Sequence, residues 1–581
     1  MQHWCHKKHY LDQEKLRQTN RRRYGMTMKK YSTTILLLGT IALHSNAVIA
    51  ATTAPLLAPN DALKTAMIAE FALAYQDIPT ALHNYTSLAI KTDSTSVKQR
   101  ALNVAINEND LDAALDIANH WVIQEPEDVP AMFYLAHIAL RAHQYELAAK
   151  TLDKILAIDA STDLEQVLAG IIPEGNSDRD NLLETLKNSQ AKDNPSVLLL
   201  IAGIEAQNGQ LDLALSMVNR AIAKRPKNSN FMLFKAHLLE NLGDEEALLQ
   251  WYKKVSRQQA NNASIRLAHV KYMIKINHSE AALKLLEAML KQWPKHEEAL
   301  FTAGLTSIDL EQYDKAERFL VELRTSEQYR NDAYYYLAVN AERKQHFETA
   351  KAYFRLVDGS LYTVSRRNLV NIYDKQQRLT EGLRFLTQER VNYPQHASFL
   401  YQLQAEILVR MQKKPSAILL LDEAIKSLPD DPELLYAQVL LLDVHQQQYK
   451  LNQALKRLLQ IEPNSPTYLN AYAYTLALQN QRLTEARSYA ERALEFAPEQ
   501  ASILDTYGYI TYLQNDFETA IPILAKAYRL SQSLKIGTRY AHALYMQGEL
   551  DLFAQVLSEL QAKHGNDVQL DHLKALLLPQ S

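Results

Sequence analysis

Apolar stretches long enough for helices of about a dozen residues alternate with short polar breaks along most of this chain. Prolines and small residues keep a fixed register inside that alternation. Pro126, Pro226, Pro294, Pro394, Pro429, Pro463 and Pro498 fall roughly 34 residues apart, or at two or three times that spacing. Twelve residues before six of them stands Ala114, Ala214, Ala282, Gly382, Ala417 or Ala486. The small residue lets one helix lie close to its neighbour. The proline ends the second helix of a pair, because it lacks an N–H and disfavours helix just before it. Helix pairs are thus expected over 62–75 and 78–90, with Ala81 and Tyr85 inward, then over 96–107 and 111–123. A third is expected over 130–142 and 145–157, around Leu135, Ala136, Tyr145 and Ala148.

A period near 34 residues, two helices and two turns long, resembles the tetratricopeptide repeat. The resemblance implies an all-α superhelical solenoid of about thirteen helical hairpins. Residues 61–160 read as an N-terminal sub-array and 195–562 as the main array. Between them, 161–194 holds Gly170, Pro173, Gly175 and Asn176, a set of helix breakers, and reads as an irregular connector. Residues 563–581 read as a capping helix and tail.

The start of the chain adds a destination. Met28-Lys29-Lys30, the apolar run Ile35–Leu43 and the small residues up to Ala51 have the order of a secretory signal peptide over 28–50. Val48 and Ala50 would occupy the cleavage positions and Ala51 would begin the mature chain; Ala47 offers a second cut. The apolar run is short for a membrane span. Residues 1–27 are a polar lead that fits a translation start at Met26 or Met28, or a long charged segment ahead of an uncleaved anchor. Residues 51–60 read as a linker. The expected location is the periplasm, peripheral to the outer membrane at most. No cysteine follows the apolar run, so no lipid anchor is expected there; the only cysteine is Cys5, which excludes an intrachain disulfide.

Charge and chemistry narrow the function. The 63 basic and 66 acidic residues nearly balance, so nothing points to nucleic acid. The chain shows no Gly-rich phosphate loop, His-Glu-x-x-His or Gly-x-Ser-x-Gly pattern, and no cofactor, metal or catalytic residue is expected. His278, His296 and His346 fall in turns. Glu245-Glu246 and Glu297-Glu298 fall at helix starts, where the helix dipole favours negative charge. The first helix of each pair is expected to line a groove that shows Tyr335, Glu342 and Arg343, then Arg367, Asn371, Asp374 and Lys375, then Gln402, Glu406 and Arg410. Tyr334, Tyr336, Tyr353 and Tyr362 flank it. Arginine and tyrosine suit a protein interface; ion pairs within the stack account for the same residues equally well.

One segment resembles a narrower family. Asn470-Ala471-Tyr472-Ala473-Tyr474-Thr475-Leu476-Ala477 and Ile503-Leu504-Asp505-Thr506-Tyr507-Gly508-Tyr509 are similar to the Asn-Ala-x-Gly-Tyr-Thr-Leu-Ala and Ile-Leu-Asp-Ser-x-Gly-Trp patterns of proteobacterial periplasmic repeat proteins. Members of that family include outer-membrane lipoproteins that act as adaptors for carboxy-terminal processing proteases. Ala473 replaces its glycine and Tyr509 its tryptophan. The resemblance implies a protein-binding scaffold that brings a processing protease to its substrates, cell-wall hydrolases among them. The alternative is a structural or assembly component of an envelope machine, such as a pilus or a polysaccharide exporter.

Overall fold

A computed structural model describes residues 59–565 and 567–576, and among them it contains helices and turns but no strand. The polar lead, the signal segment and residues 51–58 of the linker lie outside the described residues. The fold is the expected all-α repeat solenoid, in two compact units that divide after Gln312.

The first unit pairs Pro59–Ala74 with Ile78–Ile90, Thr95–Asn107 with Leu111–Gln124 and Val129–Arg141 with Tyr145–Ile158. After a short helix, Glu165–Leu168, and a longer one, Asn176–Asn188, it pairs Pro195–Gln207 with Leu211–Lys224, Ser229–Leu242 with Glu245–Gln258 and Ala263–Lys275 with Ser279–Gln292, and ends on Glu297–Asp309. The second unit opens on Tyr313–Val321. It pairs Arg330–Arg343 with Phe347–Leu356, Tyr362–Lys375 with Leu379–Asn392, Ala397–Arg410 with Lys414–Ser427 and Pro432–Val439 with Gln448–Ile461. Three further pairs follow, Pro466–Leu478 with Leu483–Phe496, Ala501–Leu513 with Phe517–Ser531 and Leu534–Gln547 with Leu550–His564, before a closing helix, Val568–Ala575. Two boundaries differ from the sequence reading. Helix already begins at Pro59, inside the expected linker, and the last hairpin runs to His564, two residues past the expected 562.

Each proline of the register stands two residues past a helix end, as Pro226 does after Lys224 and Pro498 after Phe496. The small residues twelve positions earlier are buried, with Ala114, Ala214, Ala282, Ala417 and Ala486 at 0% exposure. Gly508 shows what the spacing protects, since a Cβ there would lie 2.7 Å from Leu524 Cγ.

The turn inside most hairpins has its own register. Asn109, His143, Gly209, Gly243, Asn277, Gln345, Gln377, Gln412, Asn515 and Gly548 all take positive φ. The next residue's N–H then bonds back to a carbonyl in the last helical turn, as from Asp110 to Ala105 at 2.9 Å and from His346 to Ala341 at 2.8 Å. This closure satisfies orphan carbonyls at the helix end. Aspartates often start the following helix; the carboxylates of Asp110 and Asp244 accept the N–H groups of Ala113 and Ala247, both at 2.9 Å. Such caps contribute about 1 kcal/mol each.

Residues 161–194 are packed rather than open. Leu164, Val167, Leu168, Leu182 and Leu186 belong to one core that continues from Ala69 to Ile204. Arg179 holds the breaker loop, donating to the carbonyl of Pro173 at 3.1 Å and to Asn208 Oδ1 at 2.9 Å.

Candidate protein-binding faces

Hairpins 330–356, 362–392 and 397–427 carry every groove residue read from the sequence, on the first helix of each pair. Most of those residues are brought together, but by pairing with one another across successive hairpins. Lys375 donates to Glu342 at 2.7 Å, Arg367 to Glu406 at 2.8 Å, and Arg410 to Asp374 at 2.9 Å and to Asn371 Oδ1 at 3.3 Å. Gln402 donates to Ser398 within its own helix at 3.4 Å. Arg343 is exposed, with no side-chain partner among the described residues.

Tyr335 corrects the sequence reading. Its residue is only 6% exposed, its ring meets Tyr336 and Phe354 edge-on, and its hydroxyl accepts from Asn368 at 3.1 Å. Burial pushes the phenol up to about 12. The ring fills the core between hairpins and does not open onto a groove. Tyr362, read as a flank of that groove, is also fully buried.

Tyr362 belongs to a buried node that sequence reasoning missed. Arg366, at 0% exposure, donates to Glu389 at 2.6 Å and to the carbonyls of Phe354, Arg355 and Val357 at 2.9, 3.2 and 2.8 Å. Its guanidinium lies 4.1 Å over the Tyr362 ring, which stacks on His396 at 4.0 Å. The Tyr362 hydroxyl donates to Glu389 at 3.1 Å. Burial, then the Glu389 charge, raises the Tyr362 phenol. Helix Phe347–Leu356 is ten residues long where its counterparts mostly have fourteen, and Arg366 satisfies the carbonyls that the early ending leaves. A hint was available in Asp358-Gly359-Ser360, a turn sequence where the register expects helix.

The first helices of hairpins 466–496, 501–531 and 534–564 present a different face. Tyr474, Tyr509 and Tyr512 follow one another, with ring centroids 6.4 and 6.3 Å apart. Arg539 lies 3.9 Å over Tyr509 and 5.3 Å from Tyr474. It donates to Asp505 Oδ2 at 2.6 Å and to the Tyr474 hydroxyl at 3.0 Å. Lys535 donates to the same hydroxyl at 2.7 Å and lies 4.8 Å over its ring. Tyr512 hydrogen-bonds His542 Nδ1 at 2.9 Å. Burial holds the His542 imidazole below its ordinary range, with the His572 charge adding to it. Two oxygens here, Asn470 Oδ1 and Asp505 Oδ1, are buried with no hydrogen-bond partner among the described residues.

This second face is built from the segment that carries the narrower resemblance. Asn470, Tyr474, Asp505 and Tyr509 recur at matching positions of two successive first helices, whereas Ala473 and Gly508 sit behind them in the packing. Tyr509, in place of the family's tryptophan, supplies the ring beneath Arg539. Asn470, Asp505 and Arg539 are separated by about one period each, which aligns them in sequence without showing that they meet.

Among the described residues no group of three His, Cys, Asp or Glu side chains is placed to hold a metal, and no helix is long and apolar enough to cross a membrane. His296, one of the turn histidines, accepts the Ala299 N–H at 3.3 Å as a helix cap.

No protein-family model matches the chain. It is 25% identical over 438 residues, 74% of each chain, to TPR repeat-containing protein PA4667 of Pseudomonas aeruginosa. Among solved structures it is similar to a chain of Naa15/Naa10 bound to HypK-THB, at 15% identity and a TM-score of 0.35, over 80% of this chain and 67% of that one. It is similar to a chain of the APC/C hetero-tetramer Cut9-Hcn1 at 14% identity and a TM-score of 0.33, over 89% and 96%. A tetratricopeptide repeat protein from Parabacteroides merdae aligns at 17% identity and 0.28, over 43% and 99%. Scores this low match helical hairpins to helical hairpins and identify no shared site.

Proposed function

We propose that this chain, a tetratricopeptide-repeat protein by the period and packing of its helix pairs, is a scaffold that binds other proteins through the first-helix face of its C-terminal hairpins. The observation that carries the reading is the tyrosine–arginine surface of Tyr474, Tyr509, Tyr512 and Arg539. Flat aromatic area and a guanidinium held in place lose little entropy on binding, and both are common where interfaces concentrate their energy. The charged face of 330–410 is less open to a partner, since most of its groups already hold each other.

The finer reading is an adaptor that brings a carboxy-terminal processing protease to its protein substrates, cell-wall hydrolases among them. It is supported by the motif over 470–513, whose residues form the C-terminal face. The periplasm is the proposed setting, on the strength of the basic, apolar and small-residue order of 28–51. Affinity purification of the tagged chain from an envelope fraction, read by mass spectrometry, tests the adaptor role. A serine protease of the processing class together with hydrolases is the expected yield. Recovery of pilus or polysaccharide-export subunits in their place would contradict it. N-terminal sequencing of the periplasmic form should begin at Ala51; a start at Met1 or retention in the cytoplasm would contradict the setting.

A further inference from the structure

We propose that the second helices of hairpins 229–258 and 263–292 form a cationic surface that attaches the chain to an anionic phospholipid membrane. The proposal goes beyond the protein-binding reading and rests on other residues, in the first unit. Charge is segregated there. Residues 220–295 hold 14 lysines and arginines against 6 aspartates and glutamates, in a chain whose formal charge is −3. On the first helix of the later hairpin, Lys271 and Lys275 are answered by Glu298 and Glu240. The second helices differ. Lys253, Lys254 and Arg257 on Glu245–Gln258, with Lys284 and Lys291 on Ser279–Gln292, are exposed and have no acidic partner among the described residues. Arg257 and Lys291 stand one period of 34 residues apart, at corresponding positions of the two helices. Two cations also share one ring: Lys235 Nζ lies 4.2 Å and Lys254 Nζ 5.8 Å from the Trp251 ring centre, and Lys235 donates to Asn219 Oδ1 at 2.8 Å. Burial, then the Lys254 charge, holds the Lys235 ammonium below its ordinary range. Like charges gathered without a counter-charge are relieved by an anion brought from outside.

The layout favours a charged plane over a single anionic group. Apart from Arg257 the exposed cations are lysines, compact charges on flexible stems that do not fork onto one carboxylate as arginine does. Lys284 and Lys291 stand about 10 Å apart along their helix at the usual rise per residue, and the others belong to the neighbouring hairpin. Leu285, 38% exposed beside Lys284, and Leu213, 48% exposed on the preceding second helix, add apolar side chains that can enter a headgroup layer. Nucleic-acid bases stack on open rings, whereas Trp251 and Tyr252 are buried in the core. Clustered lysines and arginines are drawn to anionic headgroups, and salt weakens that attraction.

The test uses the full chain and sedimentation with sucrose-loaded vesicles. Vesicles of phosphatidylethanolamine with one-quarter phosphatidylglycerol should pull the chain down, and vesicles of phosphatidylcholine should not. Lys254→Glu combined with Lys291→Glu, one change on each hairpin, should weaken the binding at least about tenfold, since two attractive charges become repulsive. Lys426→Glu combined with Lys456→Glu, at two exposed lysines of the second unit, should leave it unchanged. Equal sedimentation with both kinds of vesicle, or unchanged binding by the Lys254–Lys291 variant with native circular dichroism, would overturn the surface. Release by inorganic phosphate well beyond that by chloride of equal ionic strength would overturn it in favour of a discrete phosphate site. Stronger capture by poly-glutamate than by the phosphatidylglycerol vesicles at equal charge would overturn it in favour of an acidic protein. The protease pull-down does not depend on any of these outcomes, so the two readings fail separately.

Discussion

Hairpins 330–427 and 466–564 belong to the same unit and the same repeat, yet their first helices do opposite work. The former spend their charged groups on one another: Glu342 with Lys375, Arg367 with Glu406, and Asp374 with Arg410. The latter gather tyrosines around Arg539 and, among the described residues, leave Lys535 without an acidic partner and the Tyr474 O–H without an acceptor. One scaffold thus yields a face that fixes its own spacing and a face with capacity left for a ligand. Both sets are rich in tyrosine, but the first helices of 330–427 hold Arg330, Arg343, Arg366, Arg367 and Arg410, whereas those of 466–564 hold Arg539 alone. They differ further in whether each charge finds its opposite one period away.

The largest expected effect lies beneath the charged face. Arg366→Met should destabilise the chain by about 3–5 kcal/mol, because it leaves Glu389 buried without its cation. Adding Glu389→Gln should recover part of that loss and no more, since the carbonyls of Phe354, Arg355 and Val357 still lack their donor. Urea unfolding followed by circular dichroism reads both. A loss under about 1 kcal/mol for Arg366→Met would remove the node from the account.

Next comes the pairing itself. Arg367→Glu should cost about 1 kcal/mol by placing like charges together, and Arg367→Glu combined with Glu406→Arg should restore most of it. The exchange should leave partner capture unchanged. Reversing Arg343, Arg367 and Arg410 together is therefore expected to weaken the fold near Glu406 and Asp374, rather than only to alter a solvent-facing charge.

On the tyrosine face the order of effects inverts. Tyr509→Leu should cost only about 0.5–1 kcal/mol of stability, the scale of a part-exposed cation–π contact. It should nevertheless reduce partner capture at least about tenfold, as loss of an interface anchor does. A variant that is unstable but binds normally would place the face elsewhere.

The smallest effect is set by pH. His542 is held below its ordinary value by burial and then by the His572 charge. The fold therefore favours the neutral ring, and the unfolded chain binds the extra proton first. That contribution to stability is complete above the unfolded value of about 6.5 and declines as pH falls through it. His542→Gln should flatten part of the stability loss between pH 7.5 and pH 5; an identical slope would assign the loss to other groups.

The sequence made some of this legible for physical reasons. Alanine and proline mark helix crossings and helix ends because size and a missing N–H act locally, so their register reads directly. The turn register was hidden. Glycine holds the left-handed position at Gly209, Gly243 and Gly548, but Gln345, Gln377, Gln412 and Asn515 hold it elsewhere, and no single residue type signals it. Groove residues were placed on the right helices, yet their partners lie 33 to 39 residues away, so pairing depends on how hairpins stack. Tyr335 failed for a related reason: a one-residue difference in register turns a surface position into a core one, and Phe354 and Asn368 were there to receive it. Asn470, Tyr474, Asp505 and Tyr509 were visible only as a resemblance; their meeting with Arg539 required the fold.

The central claim is that the C-terminal tyrosine face, and not the charge-paired face, receives the partner. A photo-crosslinking residue placed at Tyr509 or at Gln402 in living cells tests it most directly, with adducts identified by mass spectrometry. The account predicts a processing protease or its substrate crosslinked from position 509 and none from position 402. Adducts from 402 alone, or none from either position while the protease still co-purifies, would contradict it.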